Sequence, residues 1–308
     1  MTRRLLAAVT SRVPRLVLEI VAGVMIGPSV LGLVRPTTTL HHVADTGAAL
    51  LLFMVGMHVD ADALRSARGA ATRVALVGIV APVVGGMVVG MSVGESWRTS
   101  LFLGAALSAT SIGITARVFR DAGQLDSPEA HVVIGAAVID DVLGLALLAV
   151  VTIVASDRGF DMGTALSSVV IIGSFFAGMT AARSRVAAGV ESSASRLATV
   201  VVPLFFVHVG LKADLSVVSS AGTLLLAVVV LLVAMATKLV AGTATPSGSG
   251  DRVAIGLAMA PRGEVGLIFA TTALAAGAFD AHMYAVVVLV VLGTTILTPV
   301  ALRRRLSA

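Results

Sequence analysis

Apolar runs of about twenty residues recur from one end of this chain to the other, and no other feature limits its fold as strongly. A bilayer core about 30 Å thick is crossed by about 20 helical residues, whose backbone must satisfy its own hydrogen bonds. The runs are too long for barrel strands. Charged residues make up 13% of the chain, against about 25% in soluble domains. The fold expected is therefore an all-α polytopic membrane protein.

The runs resolve into about ten transmembrane helices, near 15–34, 43–59, 71–92, 98–118, 129–154, 162–182, 195–211, 216–241, 252–277 and 282–302. The stretches "TTTLHH", "GESWRT", "SDRGFD" and "TPSGSGD" read as loops by their turn and charge chemistry. Basic residues test the count. With the N-terminus inside, the inside segments hold 16 Lys and Arg, and the outside loops hold only Arg35, Arg98, Arg158 and Lys212. Lys238 and Arg262 lie within spans. That asymmetry places both termini in the cytoplasm, in the cell membrane. The pI of about 10.9 thus reflects topology and attraction to anionic lipid headgroups, and nucleic acid is not an expected partner.

The chain has no cysteine, which excludes disulfides and thiolate chemistry. "MTRRLLAAVTSRVPRL" has too short an apolar core before Arg12 for a cleaved signal, so the first span drives insertion.

Two spans are unlike ordinary membrane helices. One contains "SATSIGITARV", crowded with hydroxyls; the other contains "MAPRGEVGLIFATTAL", where Pro261 and Gly263 interrupt the helical ladder beside two charges. Each is the middle of a triplet, 71–154 and 216–302, and the triplets begin on opposite sides. Discontinuous helices at matching places in an inverted repeat point to a transporter site. The domains follow: N-terminal scaffold helices 1–62, a first core half 63–155, scaffold or linker helices 156–213, and a second core half 214–308.

In "AAVIDDVLGL", Asp140 and Asp141 sit where water is scarce. An aspartate at mid-bilayer costs about 2.5–3.5 kcal/mol on insertion scales, so each must face a cavity or a partner. Adjacent helical residues point about 100° apart, so the two need different partners. That geometry argues against an intramembrane aspartyl protease, and no enzyme activity is expected. Lys238 in "ATKLVAG" either pairs with one of these acids or snorkels to the interface. Glu19 reads as a scaffold polar contact. His41, His42 and His131 read as loop or interface residues, and His58 and His208 as helix-end residues able to sense pH or simply sit at the interface.

"LVLEIVAGVMIGPSVLGL", "GAALLLFMVGMHVD", "GAALSATSIGITARVF", "GAAVIDDVLGLALLAVV", "IIGSFFAGM", "PLFFVHVGLKADL" and "IGLAMAPRGEVGLIFATTALAAG" together resemble the monovalent cation:proton antiporter-2 family. The match runs in order over most of the chain. The resemblance implies exchange of sodium or potassium for protons by an elevator-type movement of a six-helix core, with no cofactor. It implies that Asp141 binds the cation, and that Asp140 pairs with Lys238. Thr110 and Ser111 fall in the unwound part of the first crossing helix, where their side-chain oxygens are expected to join Asp141 at the ion site, and Asp140 with Lys238 is expected to form a second titrating unit. Arg262 and Glu264 match the "PRGE" motif, read here as a structural charge pair. The chain is shortened relative to the family's usual thirteen or so helices, with about three scaffold or linker helices absent and no soluble regulatory domain. A homodimer is the oligomer expected. Alternatives within reach of the sequence are a potassium-efflux type exchanger and a non-transporting shortened subunit.

Overall fold

The computed structural model describes residues 14–58, 69–155, 162–213 and 220–307. Among these residues there are twelve helices and no strand: α1 (Arg15–Ile26), α2 (Thr38–His58), α3 (Ala70–Ser92), α4 (Trp97–Ser108), α5 (Ile112–Asp121), α6 (Pro128–Ala155), α7 (Met162–Ala181), α8 (Ala187–Lys212), α9 (Ala221–Thr243), α10 (Arg252–Ala258), α11 (Glu264–Ala275) and α12 (Ala281–Leu306). Seven segments among them are long and apolar enough to cross a membrane, counting α4 and α5 as one crossing. Two of the expected spans fall short for physical reasons. The first ends at Ile26, where Gly27 and Pro28 cannot carry the ladder on. The ninth is broken into α10 and α11.

Helix boundaries correct two expected loops. "TTTLHH" is largely the first turn of α2, so His41 and His42 are helical, and Trp97 of "GESWRT" opens α4 behind the Ser96 cap. "TPSGSGD" is a loop, and "SDRGFD" lies outside the described residues.

The chain forms two compact units, residues 1–59 with 158–219 and residues 60–157 with 220–308. In the first, α8 packs on α1 and α2, and α2 packs on α7. Lipid gives helices little hydrophobic reason to associate, so close backbone approach at small residues holds them together. A Cβ on Gly23 would lie 2.1 Å from Val207 O, and one on Gly210 would lie 2.1 Å from Ile20 O. The α2–α7 crossing repeats the device, with Gly56 against Phe175 O and Gly178 against Phe53 O, both at 2.1 Å.

The second unit holds α3 to α6 and α9 to α12. Its two halves are built alike: the first helix of each triplet meets the leading part of the broken crossing helix through glycines. Gly86 of α3 abuts Gly104 of α4, and Gly242 of α9 abuts Gly256 of α10. Val74, Phe119, Val133, Ile255, Met259 and Leu302 form a buried core between α3, α5, α6, α10 and α12. At one end of the unit, Arg303 and Arg305 of α12 bond Asp121 at 2.7 Å and Asp251 at 2.6 Å. At the other, Thr99 donates to Ala278 O at 2.9 Å.

Candidate functional site

The two interrupted helices cross where their ladders stop. Ala109 and Ser111 are extended, Ser111 N–H donates to Pro261 O at 2.9 Å, and the chain from Ala260 to Gly263 is non-helical. Four helix ends therefore meet in one place: the C-termini of α4 and α10, and the N-termini of α5 and α11. Such ends carry unsatisfied backbone groups and partial charge, negative at the C-termini and positive at the N-termini.

The negative ends are capped from within the protein. Arg262 donates through Nε and Nη2 to Leu107 O at 3.1 and 2.6 Å, through Nη1 to Ala260 O at 2.7 Å, and through Nη2 to Ala234 O at 3.1 Å. Thr110 and Thr115 donate to Met259 O and Ala258 O at 3.2 and 2.6 Å. Thr295 bonds Arg262 O. The expected pairing of Arg262 with Glu264 is corrected here: no ion pair joins them among the described residues, because the fully buried guanidinium is taken up by carbonyls. Residues two apart do not face each other even in a regular helix.

Lys238 is fully buried, which removes the snorkelling alternative. Its Nζ donates to Gly78 O at 2.8 Å, Ser108 O at 2.6 Å and Thr110 Oγ1 at 2.8 Å. An ammonium has three N–H donors, and these three acceptors use them all. Asp140 Oδ2 lies 4.0 Å from Nζ, so the two charges attract through space without a hydrogen bond. Both Asp140 oxygens are buried without a hydrogen-bond partner. Thr110, expected at the ion site, already accepts from Lys238 and donates to Met259 O.

Asp141 is 9% exposed, and among the described residues its carboxylate takes no hydrogen-bond or ion-pair partner. Asp140 adjoins it in the chain, and α11, which begins at Glu264, packs on the helix that carries it. Ser111 is 4% exposed, and its hydroxyl lies 2.7 Å from the position a Cβ on Gly263 would take. Among the described residues no group of three or more His, Asp or Glu is arranged to hold a tightly ligated metal. Thr115, Thr295 and Gly78 belong to the crossing although the sequence did not single them out. Thr115 stood inside the hydroxyl-rich motif, whereas a carbonyl acceptor such as Gly78 O leaves no mark in a sequence.

Compared with known proteins, the chain matches the transmembrane sodium/hydrogen exchanger family over residues 2–172 and 162–307. It belongs to that family. It is 33% identical to the high-affinity Na(+)/H(+) antiporter NhaS3 of a Synechocystis species, over 85% of this chain and 70% of that protein. It is 29% identical to the Na(+)/H(+)-K(+) antiporter GerN of Bacillus cereus, over 96% of this chain and 90% of that one. The Na(+)/H(+) antiporter of Enterococcus hirae is 26% identical, over 94% of this chain and 91% of its own. The fold resembles the solved sodium proton antiporter MjNhaP1 of Methanocaldococcus jannaschii, with TM-score 0.65 and 15% identity, over 98% of this chain and 92% of that one. The GerN alignment spans 352 positions and this chain has 308 residues, so at least 44 positions have no counterpart here. That is the length of about two membrane helices at about 20 residues each.

Proposed function

We propose that this chain is a secondary active antiporter that exchanges sodium or potassium for protons across the cytoplasmic membrane by alternating access. The observation that carries the reading is the Asp141 carboxylate, buried without a protein partner beside the crossing of two broken helices. A carboxylate in that setting is stabilised by whichever positive species reaches it, a proton or a cation, and the two compete. That competition couples the fluxes. The names of NhaS3 and GerN support both ions as candidates.

In this reading the unit of residues 60–157 and 220–308 carries the ion, and the unit of residues 1–59 and 158–219 is the scaffold. Lys238 and Arg262 are fixed positive charges that keep α4's broken end neutral whichever ion is bound. Asp140 offsets Lys238 in turn. Ser111 supplies a hard oxygen that suits a monovalent cation. Both termini lie in the cytoplasm, and the protein assembles as a homodimer within lipid.

The test is proton flux in proteoliposomes driven separately by sodium and by potassium. The parent should respond to at least one, and Asp141→Asn should respond to neither. Coupled flux at parental rate in Asp141→Asn refutes the site.

A further inference from the structure

Helix α8 is longer than a bilayer needs. Its 26 residues reach about 39 Å at about 1.5 Å each, against a hydrocarbon core of about 30 Å. From Leu197 to Leu211 the sequence is apolar but for Thr199 and His208, whereas Glu191, Ser192, Ser193, Ser195 and Arg196 crowd the turns before it. The surplus length is therefore at the N-terminal end, which stands at the level of the lipid headgroups.

An apolar groove of about 570 Å³ is cut into that end, between α8 and α2 and within one compact unit. Leu50, Val186, Val190, Ala194 and Leu197 line it, with Ser193 the one polar side chain among its described lining residues. From Val186 to Leu197 it runs about 16 Å along the helix and descends toward the hydrocarbon, as a single extended acyl chain would. Val186 and Leu197 are 65% and 53% exposed. Such walls cost nothing in hydrocarbon, but at headgroup level they meet water, which disfavours an empty groove.

The surroundings are basic. Arg185 adjoins Val186 in the chain, and Arg183 lies just before it. Arg196 stands seven positions after Gly189, on the same edge of the groove, and folds back toward the start of the helix, its Nε donating to Ser192 O at 3.3 Å. All three are exposed, and among the described residues none joins an ion pair. The acid of this stretch, Glu191, faces His58 Nε2 at 3.4 Å instead. The arginines ending α12 differ, since Arg303 and Arg305 are engaged by Asp121 and Asp251. A second copy seated on this face by two-fold symmetry would bring the three arginines against their own mates. An anion relieves them, and guanidinium forks match phosphate oxygens in pairs.

We propose that the α2–α8 groove binds one anionic phospholipid, with an acyl chain lying along Val186 to Leu197 and the phosphate held by Arg183, Arg185 and Arg196. The groove lies in the unit that does not hold Asp141, so the proposal is independent of which ion is carried.

The experiment titrates the full chain in detergent with dioleoyl phosphatidylglycerol, with phosphatidylcholine of the same chains, and with glycerol phosphate alone. Native mass spectrometry reads the lipid retained per chain and the oligomeric state. Phosphatidylglycerol should bind one per chain and at least about tenfold tighter than phosphatidylcholine, and glycerol phosphate should not be retained. Arg183→Gln, Arg185→Gln and Arg196→Gln should each weaken phosphatidylglycerol about fivefold and leave phosphatidylcholine unchanged. Gly189→Leu should fill the groove and reduce retention at least about tenfold with a parental lipid-free Tm, because a Cβ there meets nothing within 4 Å and leucine favours the helix. If that variant fails to fold, Ser193→Leu carries the same test. Equal retention of the two lipids, arginine variants of parental affinity, or parental retention in the filled groove overturns the proposal. So does retention of glycerol phosphate alone, which makes the site one for free phosphate. A lipid-free dimer that Gly189→Leu turns into a monomer assigns the groove to a second copy and overturns it as well.

Discussion

Lys238→Met and Asp140→Asn each remove one member of a buried charge pair, and the structure makes their costs unequal. At the observed 4.0 Å, and with an effective dielectric of about 20, the mutual attraction is worth about 4 kcal/mol. Both variants lose it. Asp140→Asn also relieves the burial of a carboxylate that accepts no hydrogen bond, which offsets most of the loss and leaves a net cost of about 0–2 kcal/mol. Lys238→Met gains no such relief. It strips a charged donor from Gly78 O, Ser108 O and Thr110 Oγ1, each bond to a charged group being worth about 1.5–3 kcal/mol, and strands Asp140 besides. Its cost should be at least about 4 kcal/mol. The double variant should then recover only what stranding Asp140 cost and stay well below the parent, since no change at Asp140 restores a donor to Gly78 O, Ser108 O and Thr110 Oγ1. Thermal unfolding in detergent at one scan rate ranks the four proteins, which is the comparison that irreversible unfolding permits. Equal losses in the two single variants, or a double variant as stable as the parent, would show that Lys238 serves Asp140 alone.

Gly56→Ala forces a Cβ to within 2.1 Å of Phe175 O and should cost about 3 kcal/mol or more by overpacking. Gly113→Ala, with nothing within 4 Å, should instead gain about 0.5–1 kcal/mol in helix propensity; the same unfolding assay decides both. The Arg305 hydrogen bond, with the caps on Val253 and Ala254, holds the Asp251 carboxyl below the usual carboxylate range. Because the folded value is the lower one, its stabilisation is present above the unfolded value of about 3.9 and vanishes as pH falls through the folded value. Asp251→Ala should therefore cost about 0.5–2 kcal/mol at neutral pH and almost nothing at the acid end of a stability–pH series. A reporter fused after Ala308 should be cytoplasmic and one after Arg98 exterior, and an exterior C-terminus would refute the proposed orientation.

The architecture was legible because each determinant is local. Apolar length marks a span, and Pro261 with Gly263 marks a break. A lone Lys238 among apolar residues marks a buried charge in want of company. The "SATSIGITARV" run announced unwound backbone, and α4 does stop at Ser108. What escaped was the identity of the partners. Arg262 and Glu264 stand two apart and look like a pair on paper, yet the guanidinium reaches Leu107 O, 155 positions away in the chain. Carbonyl acceptors carry no residue-type signal, so Gly78, Ser108 and Leu107 became visible only as atoms. His208 failed differently. A helix-end histidine suggested the interface, but the end of α8 is packed, and the ring is 2% exposed with His41 5.5 Å away.

The two ends of the broken-helix pair are fastened by different chemistry, and this gives the assembly a sidedness toward electrolyte. Arg303–Asp121 and Arg305–Asp251 are partly exposed contacts between full charges, one clamping the end of α5 and the other the start of α10. Dissolved ions weaken such contacts over a Debye length of about 8 Å at physiological strength. The Thr99 bond to Ala278 O, between the start of α4 and the segment after α11, is neutral and buried, so bathing salt leaves it untouched. Raising ionic strength in the compartment that meets the arginine end should loosen α5 and α10, while the same change opposite should leave α4 and α11 as they were. Electrolyte on one face would then act on the grip of the crossing, quite apart from its role as cargo.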